Sequence, residues 1–253
     1  MMISIVSPLH NEAENVADLV REIGDSCTAF PEFEVLLVDD GSTDATAARV
    51  REMQAHRPWL RLLRHPVPGG QSAAVHSGVR AAKGEIVLTL DGDLQNPPAE
   101  LPNLAAPFLA PDAPDRLGLV AGQRVQRRDT WSKRAASRFA NALRARMLKD
   151  DTRDTGCGLK GFRRDAFLDL PYFDHMHRYL PALFKRHGWQ VRHVDVTHRE
   201  RGGGVSKYNN LQRAAVGIYD LIGVAWLLRR SKTVRATEAP RAQATPPDRE
   251  TTE

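Results

Sequence analysis

Asp91 and Asp93 stand on either side of Gly92 in the stretch LTLDGDLQNPP, where an apolar run gives way to a turn. Gly92 permits the turn that lets both carboxylates reach one point. Two like charges brought together repel, and each raises the other's pKa unless a cation sits between them. Hard carboxylate oxygens suit Mg²⁺ or Mn²⁺, ions that keep several waters and take remaining ligands from substrate phosphates. The pair therefore has the chemistry of half a metal-diphosphate site. The same short pattern also occurs in ordinary surface turns, so its meaning depends on what surrounds it.

Such a pair has to be held at a strand end. Residues 3–7, 35–39, 60–64, 86–90 and 119–121 read as short strands rich in Val, Ile and Leu, buried on both faces. Between them, residues 14–27, 43–56 and 72–82 carry apolar residues at helical spacing, with Asn11 and Ser42 available as N-caps. This alternation predicts an α/β fold, a Rossmann-like, mostly parallel sheet flanked by helices. Ligands bind such open sheets beyond the carboxyl ends of the strands. Three polar strand ends fall there: SPLHNE, DDGSTD and DGDLQ. Asp39 or Asp40 has the alternative role of stabilising the next helix N-terminus. Pro97 and Pro98 stop the fourth strand and open another helix.

The 253 residues suffice for one large domain with a full core. Residues 1–210 are expected to form that domain and 211–232 an amphipathic helix. Residues 233–253, polar and rich in Pro, Thr and Ala, are expected to be disordered. Cys27 and Cys157 are too few for a disulfide framework, and MMISIVSP enters a strand pattern without a leader, so a cytoplasmic protein is expected. The net charge of +5 is uneven: residues 123–153 hold ten Lys/Arg against three Asp, a local +7 that leaves −2 elsewhere. That favours an anionic partner such as phosphate, nucleic acid or acidic lipid, with a solvated helix face as the plainer alternative. The segment lacks the interleaved aromatics that stack on bases, which speaks against nucleic acid.

A dinucleotide-binding domain needs a glycine fingerprint after its first strand, and the turn from Ser7 to Glu12 has no glycine. His175, His177, His187, His193 and His198 lack zinc-ligand spacing and carboxylate support, and read as surface or core residues. Residues 211–228 (LQRAAVGIYDLIGVAWLL) are apolar at helical spacing, but Arg213 and Asp220 break them into uncharged runs far below the roughly 20 residues that span a bilayer. With Tyr219 and Trp226 inside and Arg229, Arg230 and Lys232 beside it, the segment suits either an anionic headgroup region or the core.

Over residues 3–228 the motifs SPLHNEAENV, LLVDDGSTDAT, GGQSAAVHSG, LTLDGDLQNPP, GQRVQRRDTWSKRAAS, DTGCGLKGFRR and HRERGGGVSKY follow in order. Together they resemble the family 2 inverting glycosyltransferases of GT-A fold. Within these, they resemble the polyprenyl-phosphate sugar transferases, among them dolichol-phosphate mannosyltransferases and undecaprenyl-phosphate aminoarabinose transferases. The resemblance implies that Pro8, His10 and Glu12 contact the nucleotide, with Val38 and Asp40 holding base and ribose. Relatives often carry an aromatic residue at the position of His10. Asp91, Gly92 and Asp93 match the donor diphosphate and metal motif, Gln95 a further metal ligand or water holder, and Arg124 an arginine near the phosphates. Lys133, Arg134 and Ser137 match a patch that receives the acceptor phosphate, with lysine where relatives have arginine. Arg201, Ser206 and Lys207 match a loop whose cations close over the reacting phosphates, made mobile by Gly202, Gly203 and Gly204. Asp154 matches an acidic element near the reacting centre, as base or as orienter of cations; the alternative is a salt bridge to Arg153 or Arg163.

The expected reaction moves a sugar from a nucleotide-diphosphate to a polyprenyl phosphate with Mg²⁺ or Mn²⁺. The metal and cations neutralise the leaving group. A phosphomonoester acceptor, mostly dianionic at neutral pH, needs no general base, and Cys157 is not required as a nucleophile. A relative acting on a polysaccharide or protein hydroxyl, which needs a base, is the second reading; a non-catalytic nucleotide-sugar or nucleic-acid binder is the third. The expected place is the inner face of the cytoplasmic membrane, either peripherally or through a membrane partner protein, and a homo-oligomer is compatible with this.

Overall fold

The computed structural model describes residues 1–125, 156–199 and 210–230, with isolated positions at 144, 146–148, 150, 152, 154, 232, 234, 237 and 238. Among these residues seven strands form one sheet: β1 (Ile3–Leu9), β2 (Phe33–Asp40), β3 (Leu60–His65), β4 (Ile86–Thr89), β5 (Leu117–Arg124), β6 (Lys160–Arg163) and β7 (Gln190–Val196). Their order is β3-β2-β1-β4-β6-β5-β7, and only β6 runs against its neighbours. The helices among the described residues are α1 (Val16–Cys27), α2 (Thr46–Gln54), α3 (Gln71–Ala81), α4 (Leu101–Leu109), α5 (Arg164–Leu168), α6 (Leu180–Arg186) and α7 (Asn210–Arg230).

The central strands β1, β2 and β4 are rich in apolar residues because both sheet faces are covered there. Ile3, Ile5, Val35, Leu37, Ile86 and Leu88 enter a core shared with α1 and α4. Val6, Leu36, Val38 and Val87 alternate into the opposite core, with α3, α5, α6 and α7. α1 buries Val16, Leu19, Val20, Ile23 and Cys27, the spacing of one helical stripe. Pro98 opens a short 3₁₀ turn that leads into α4, as the double proline predicts.

Two local expectations are corrected. Asn11 and Ser42 cap no helix: α1 begins after Asn15 and α2 after Ala45. Instead they lace the two loops together, the Asn11 N–H donating to Ser42 Oγ (2.9 Å) and the Thr43 N–H to Asn11 Oδ1 (2.9 Å). The second concerns β6, which lies antiparallel between β4 and β5 and which residue patterning does not announce. A Cβ on Gly161 would meet Leu88 Cδ2 at 2.8 Å, so a glycine lets this short strand close on β4.

Candidate active site at the carboxyl ends of the parallel strands

The ends of β1, β2 and β4 open onto a cleft of about 390 Å³ whose walls carry Pro8, His10, Glu12, Asp40, Asp91, Gly92 and Asp93, joined by Gln71 from the start of α3. Seven of the expected donor-site residues thus meet in one place. Val38 does not: its side chain lies in the core, against the backbone of Gly78.

Asp91 is held rigidly. Gln71 Nε2 donates to one carboxylate oxygen at 2.8 Å and Asn96 Nδ2 to the other at 2.8 Å. Burial pushes its pKa above the ordinary carboxylate value, the nearby Asp93 adds to this, and Lys160, Asn96 and Arg124 oppose it. Asp93 accepts the Gln95 N–H at 3.2 Å. Gly92 serves differently from the expectation: the left-handed turn residue is Leu94 (φ 60). A Cβ at Gly92 would fall 2.3 Å from Leu9 Cδ2 and 3.0 Å from the Pro8 carbonyl oxygen, so glycine is needed for close approach to β1. The Gln95 side chain is not among the cleft walls; its carbonyl accepts the Arg199 N–H at 2.9 Å.

No group of three or more His, Cys, Asp or Glu able to hold a metal occurs among the described residues. Two clustered hard carboxylates form half a shell, and the donor chemistry fits a Mg²⁺- or Mn²⁺-type ion completed by phosphate and water. Asn96 Oδ1, buried next to this pair, has no hydrogen-bond partner among the described residues.

At the other end of the cleft the Asp40 carboxylate accepts the N–H groups of Gly69 (2.8 Å) and Gly70 (2.7 Å) and Nδ1–H of His65 (2.6 Å). It therefore fixes the loop entering α3, not the N-terminus of α2. Asp39 accepts the Ser42 N–H (3.0 Å) and Arg64 Nε (2.8 Å). His10 donates Nδ1–H to the Asp40 carbonyl at 2.8 Å, and Asn15 Nδ2 donates to Glu12 at 2.6 Å.

Asp154 does not pair with Arg163, and Arg153 lies outside the described residues. Arg124 Nε and Nη2 donate to its two oxygens at 2.6 and 2.8 Å; Arg163 Nε donates instead to the Leu117 carbonyl at 3.0 Å. Nearby, Lys160 is buried with its ammonium donating to the Cys157 carbonyl. Burial pushes its pKa down, while Cys157, Asp91 and Asp154 push the other way. Of the five histidines, His175 does have carboxylate support: its Nδ1 lies 2.8 Å from Asp220. Lys133, Arg134, Ser137, Arg201, Ser206 and Lys207 lie outside the described residues.

Residues 4–170 match the family described as Glycosyl transferase family 2. The chain belongs to this family. The undecaprenyl-phosphate 4-deoxy-4-formamido-L-arabinose transferase of Edwardsiella ictaluri (strain 93-146) is 33% identical over 223 residues, 87% of this chain and 66% of the relative. The dodecaprenyl-phosphate galacturonate synthase of Rhizobium johnstonii is 33% identical over 232 residues, 90% and 67% of the two chains. The chain thus spans about two thirds of the length of these relatives. Among solved structures, glucosyl-3-phosphoglycerate synthase from Mycobacterium tuberculosis with Mn²⁺, UDP and glucosyl-3-phosphoglycerate superposes with TM-score 0.64 at 19% identity, covering 90% of this chain and 79% of that one. A mannosyltransferase from Pyrobaculum calidifontis with GDP-Man and Mn²⁺ gives TM-score 0.64 at 23% identity, covering 91% and 65%. The fold of this family 2 chain is accordingly of GT-A type.

Residue types alone did not single out Gln71, Asn96, His65, Gly158 and Lys160. The signal for Gln71 was available, as it follows paired glycines at a helix start inside GGQSAAVHSG. Asn96 sits five residues beyond Asp91 in LQNPP. His65 and Lys160 reach the site only through strand pairing.

Proposed function

We propose that the protein transfers a sugar from a nucleotide-diphosphate donor to a polyprenyl phosphate, by direct inverting displacement, with Mg²⁺ or Mn²⁺ held by Asp91 and Asp93. The observation that carries this reading is the meeting of those two carboxylates with the β1 and β2 ends in a cleft large enough for a nucleotide sugar. When bound, the metal would supply Lewis-acid neutralisation of the departing diphosphate. Gln71 and Asn96 hold Asp91 in place for it. Pro8, His10, Glu12 and Asp40 form the nucleotide end of the cleft. Gln95 is assigned a water-holding role, and Arg124, Arg201 and Lys207 the donor phosphates. Lys133, Arg134, Ser137 and Arg201 receive the acceptor phosphate.

The polyprenyl phosphate acceptor rests on the relatives' acceptors and on the state of Asp154. Both of its oxygens are engaged by Arg124, which suits a positioning role better than proton abstraction from a hydroxyl acceptor. A dianionic phosphate acceptor needs no such base. The work takes place at the cytoplasmic face of a membrane, to which α7 contributes.

A panel of UDP- and GDP-sugars with Mg²⁺ or Mn²⁺ and a short polyprenyl phosphate, scored for lipid-linked product, tests the proposal. Metal-dependent product that disappears in Asp93→Ala supports it. No turnover with any donor overturns it, and product formed only on a hydroxyl acceptor replaces it with the second reading.

A further inference from the structure

Beside the two-carboxylate site lies a side chamber. It shares Pro8, Gln71 and Asp91 with the donor cleft and is closed at the back by Gly158, Lys160 and His177. Its free space is about 20 Å³, room for one water-sized group and far too little for a sugar ring.

Lys160 makes the chamber unusual. The residue is 5% exposed, yet among the described residues its ammonium has one hydrogen-bond partner, the Cys157 carbonyl, and no carboxylate within 4.0 Å. An ammonium buried without a counter-ion is strongly unfavourable. His177 adds a second donor. Its Nδ1 lies 2.7 Å from Ser72 Oγ, and the same hydroxyl accepts the His177 backbone N–H at 3.4 Å; with the hydroxyl proton donated to Nδ1, the ring proton sits on Nε2. Burial, with Lys160 and Arg178 nearby, holds the imidazole down to about 3, so the ring is neutral at physiological pH. Gln71 turns its amide N–H towards Asp91. Among the described residues the one carboxylate on the chamber wall is Asp91, which the proposed metal would claim.

We infer that the chamber receives one oxygen of a carboxylate carried by the donor sugar, with Lys160 as its counter-ion and His177 as a second hydrogen-bond donor. The preferred donor is then a nucleotide-diphosphate uronic acid. This rests on the cleft being the donor site. The surroundings of Lys160 argue for it: no carboxylate of the described residues lies within 4.0 Å of its ammonium, and a sugar carboxylate seated in the chamber gives it one. A neutral hexose offers only a hydroxyl at that point. A site built to pair with a group discriminates steeply against ligands that lack it.

The test uses the full chain with Mn²⁺. Bare UDP and GDP are titrated first. UDP-galacturonate is then compared with UDP-galactose, and GDP-mannuronate with GDP-mannose, in wild type, Lys160→Met and Lys160→Arg. The readout is the uronate-to-hexose affinity ratio, in which any general change in donor binding cancels. Expected for the nucleotide that binds is a ratio of about tenfold or more in wild type, close to one in Lys160→Met and still above one in Lys160→Arg. Equal binding of uronate and hexose by wild type overturns the inference without any variant, as does a ratio unaltered in a folded Lys160→Met protein. Binding of neither nucleotide overturns the donor-site reading itself, whereas nucleotide binding without uronate preference overturns only the sugar assignment.

Discussion

Arg124 grips both carboxylate oxygens of Asp154, Nε at 2.6 Å and Nη2 at 2.8 Å, with the two side chains only 14% and 11% exposed. The hydrogen bond to Asp154 raises the guanidinium's pKa above the usual arginine value. Asp154→Ala leaves that guanidinium buried without its partner and is expected to cost about 3 kcal/mol. Urea unfolding measures this, and Asp154→Asn, which keeps one acceptor oxygen, is expected to lose less. Asn at this position should retain detectable transfer to a phosphate acceptor. Complete loss of turnover with unchanged unfolding would instead assign Asp154 as the base.

Gly158 approaches the proposed metal site more closely than any side chain allows. A Cβ there would lie 2.3 Å from Asp91 Oδ2 and 2.5 Å from Oδ1. Contacts that short force one partner to move, and Asp91 is pinned by Gln71 and Asn96. Gly158→Ala is therefore expected to weaken metal-dependent donor binding at least about tenfold. Mn²⁺-dependent nucleotide titration checks it, with circular dichroism to verify the fold. Unchanged Mn²⁺ dependence would mean that Asp91 is not the ligand.

Acid sensitivity follows from two buried carboxylates. Burial raises the pKa of Glu34, but hydrogen bonds from the Lys83 N–H, Ser4 and Arg61 outweigh it and leave the group below its ordinary value. Asp39 is likewise lowered, burial being outweighed by Ser42 and Arg64. A carboxylate depressed in the folded state stabilises the fold above its unfolded pKa, and that contribution is lost as pH falls through the folded pKa. Stability should be flat near neutrality and fall once the pH drops below the unfolded value of about 4.5 for Glu34. Thermal melts from pH 7 to pH 3 measure the slope, and Glu34→Gln should flatten it while lowering stability at pH 7.

How much of this was legible in the sequence depends on what each residue answers to. The strands from Ile3 to Leu90 declared themselves because a sheet covered on both faces needs unbroken Val, Ile and Leu, and the polar ends of β1, β2 and β4 marked the cleft. β6 stayed hidden because KGFR is neither long nor apolar, and its pairing with β4 and β5 is set by tertiary context. Asn11 and Ser42 have the chemistry of caps, yet each found a partner across the neighbouring loop, which local pattern does not encode. Asp154 was visible as acidic, but its partner Arg124 lies 30 residues earlier.

The outer face of α7 supplies the last prediction. No helix among the described residues is long and apolar enough to cross a membrane. Leu221 and Val224 face inward and are buried, and Asp220 is tied to His175 at 2.8 Å. Ile218, Tyr219, Ile222 and Trp226 form a stripe on the other side, exposed by 59%, 79%, 59% and 61%. The helix thus meets the core and presents a second apolar face at once, ending in Arg229 and Arg230. Aromatic and aliphatic groups beside a cationic end suit the headgroup layer of an anionic bilayer. Sedimentation with vesicles containing anionic lipid should show binding that Ile222→Ser with Trp226→Ser weakens by at least about tenfold, since each side chain withdrawn from water contributes about 1.5 kcal/mol or more. Raising the salt should weaken the wild type only in part, because the cations are screened and the apolar stripe is not. Melting should barely change, as neither residue is in the core. Failure of the wild-type chain to sediment, or equal sedimentation of the double variant, would remove α7 from the membrane.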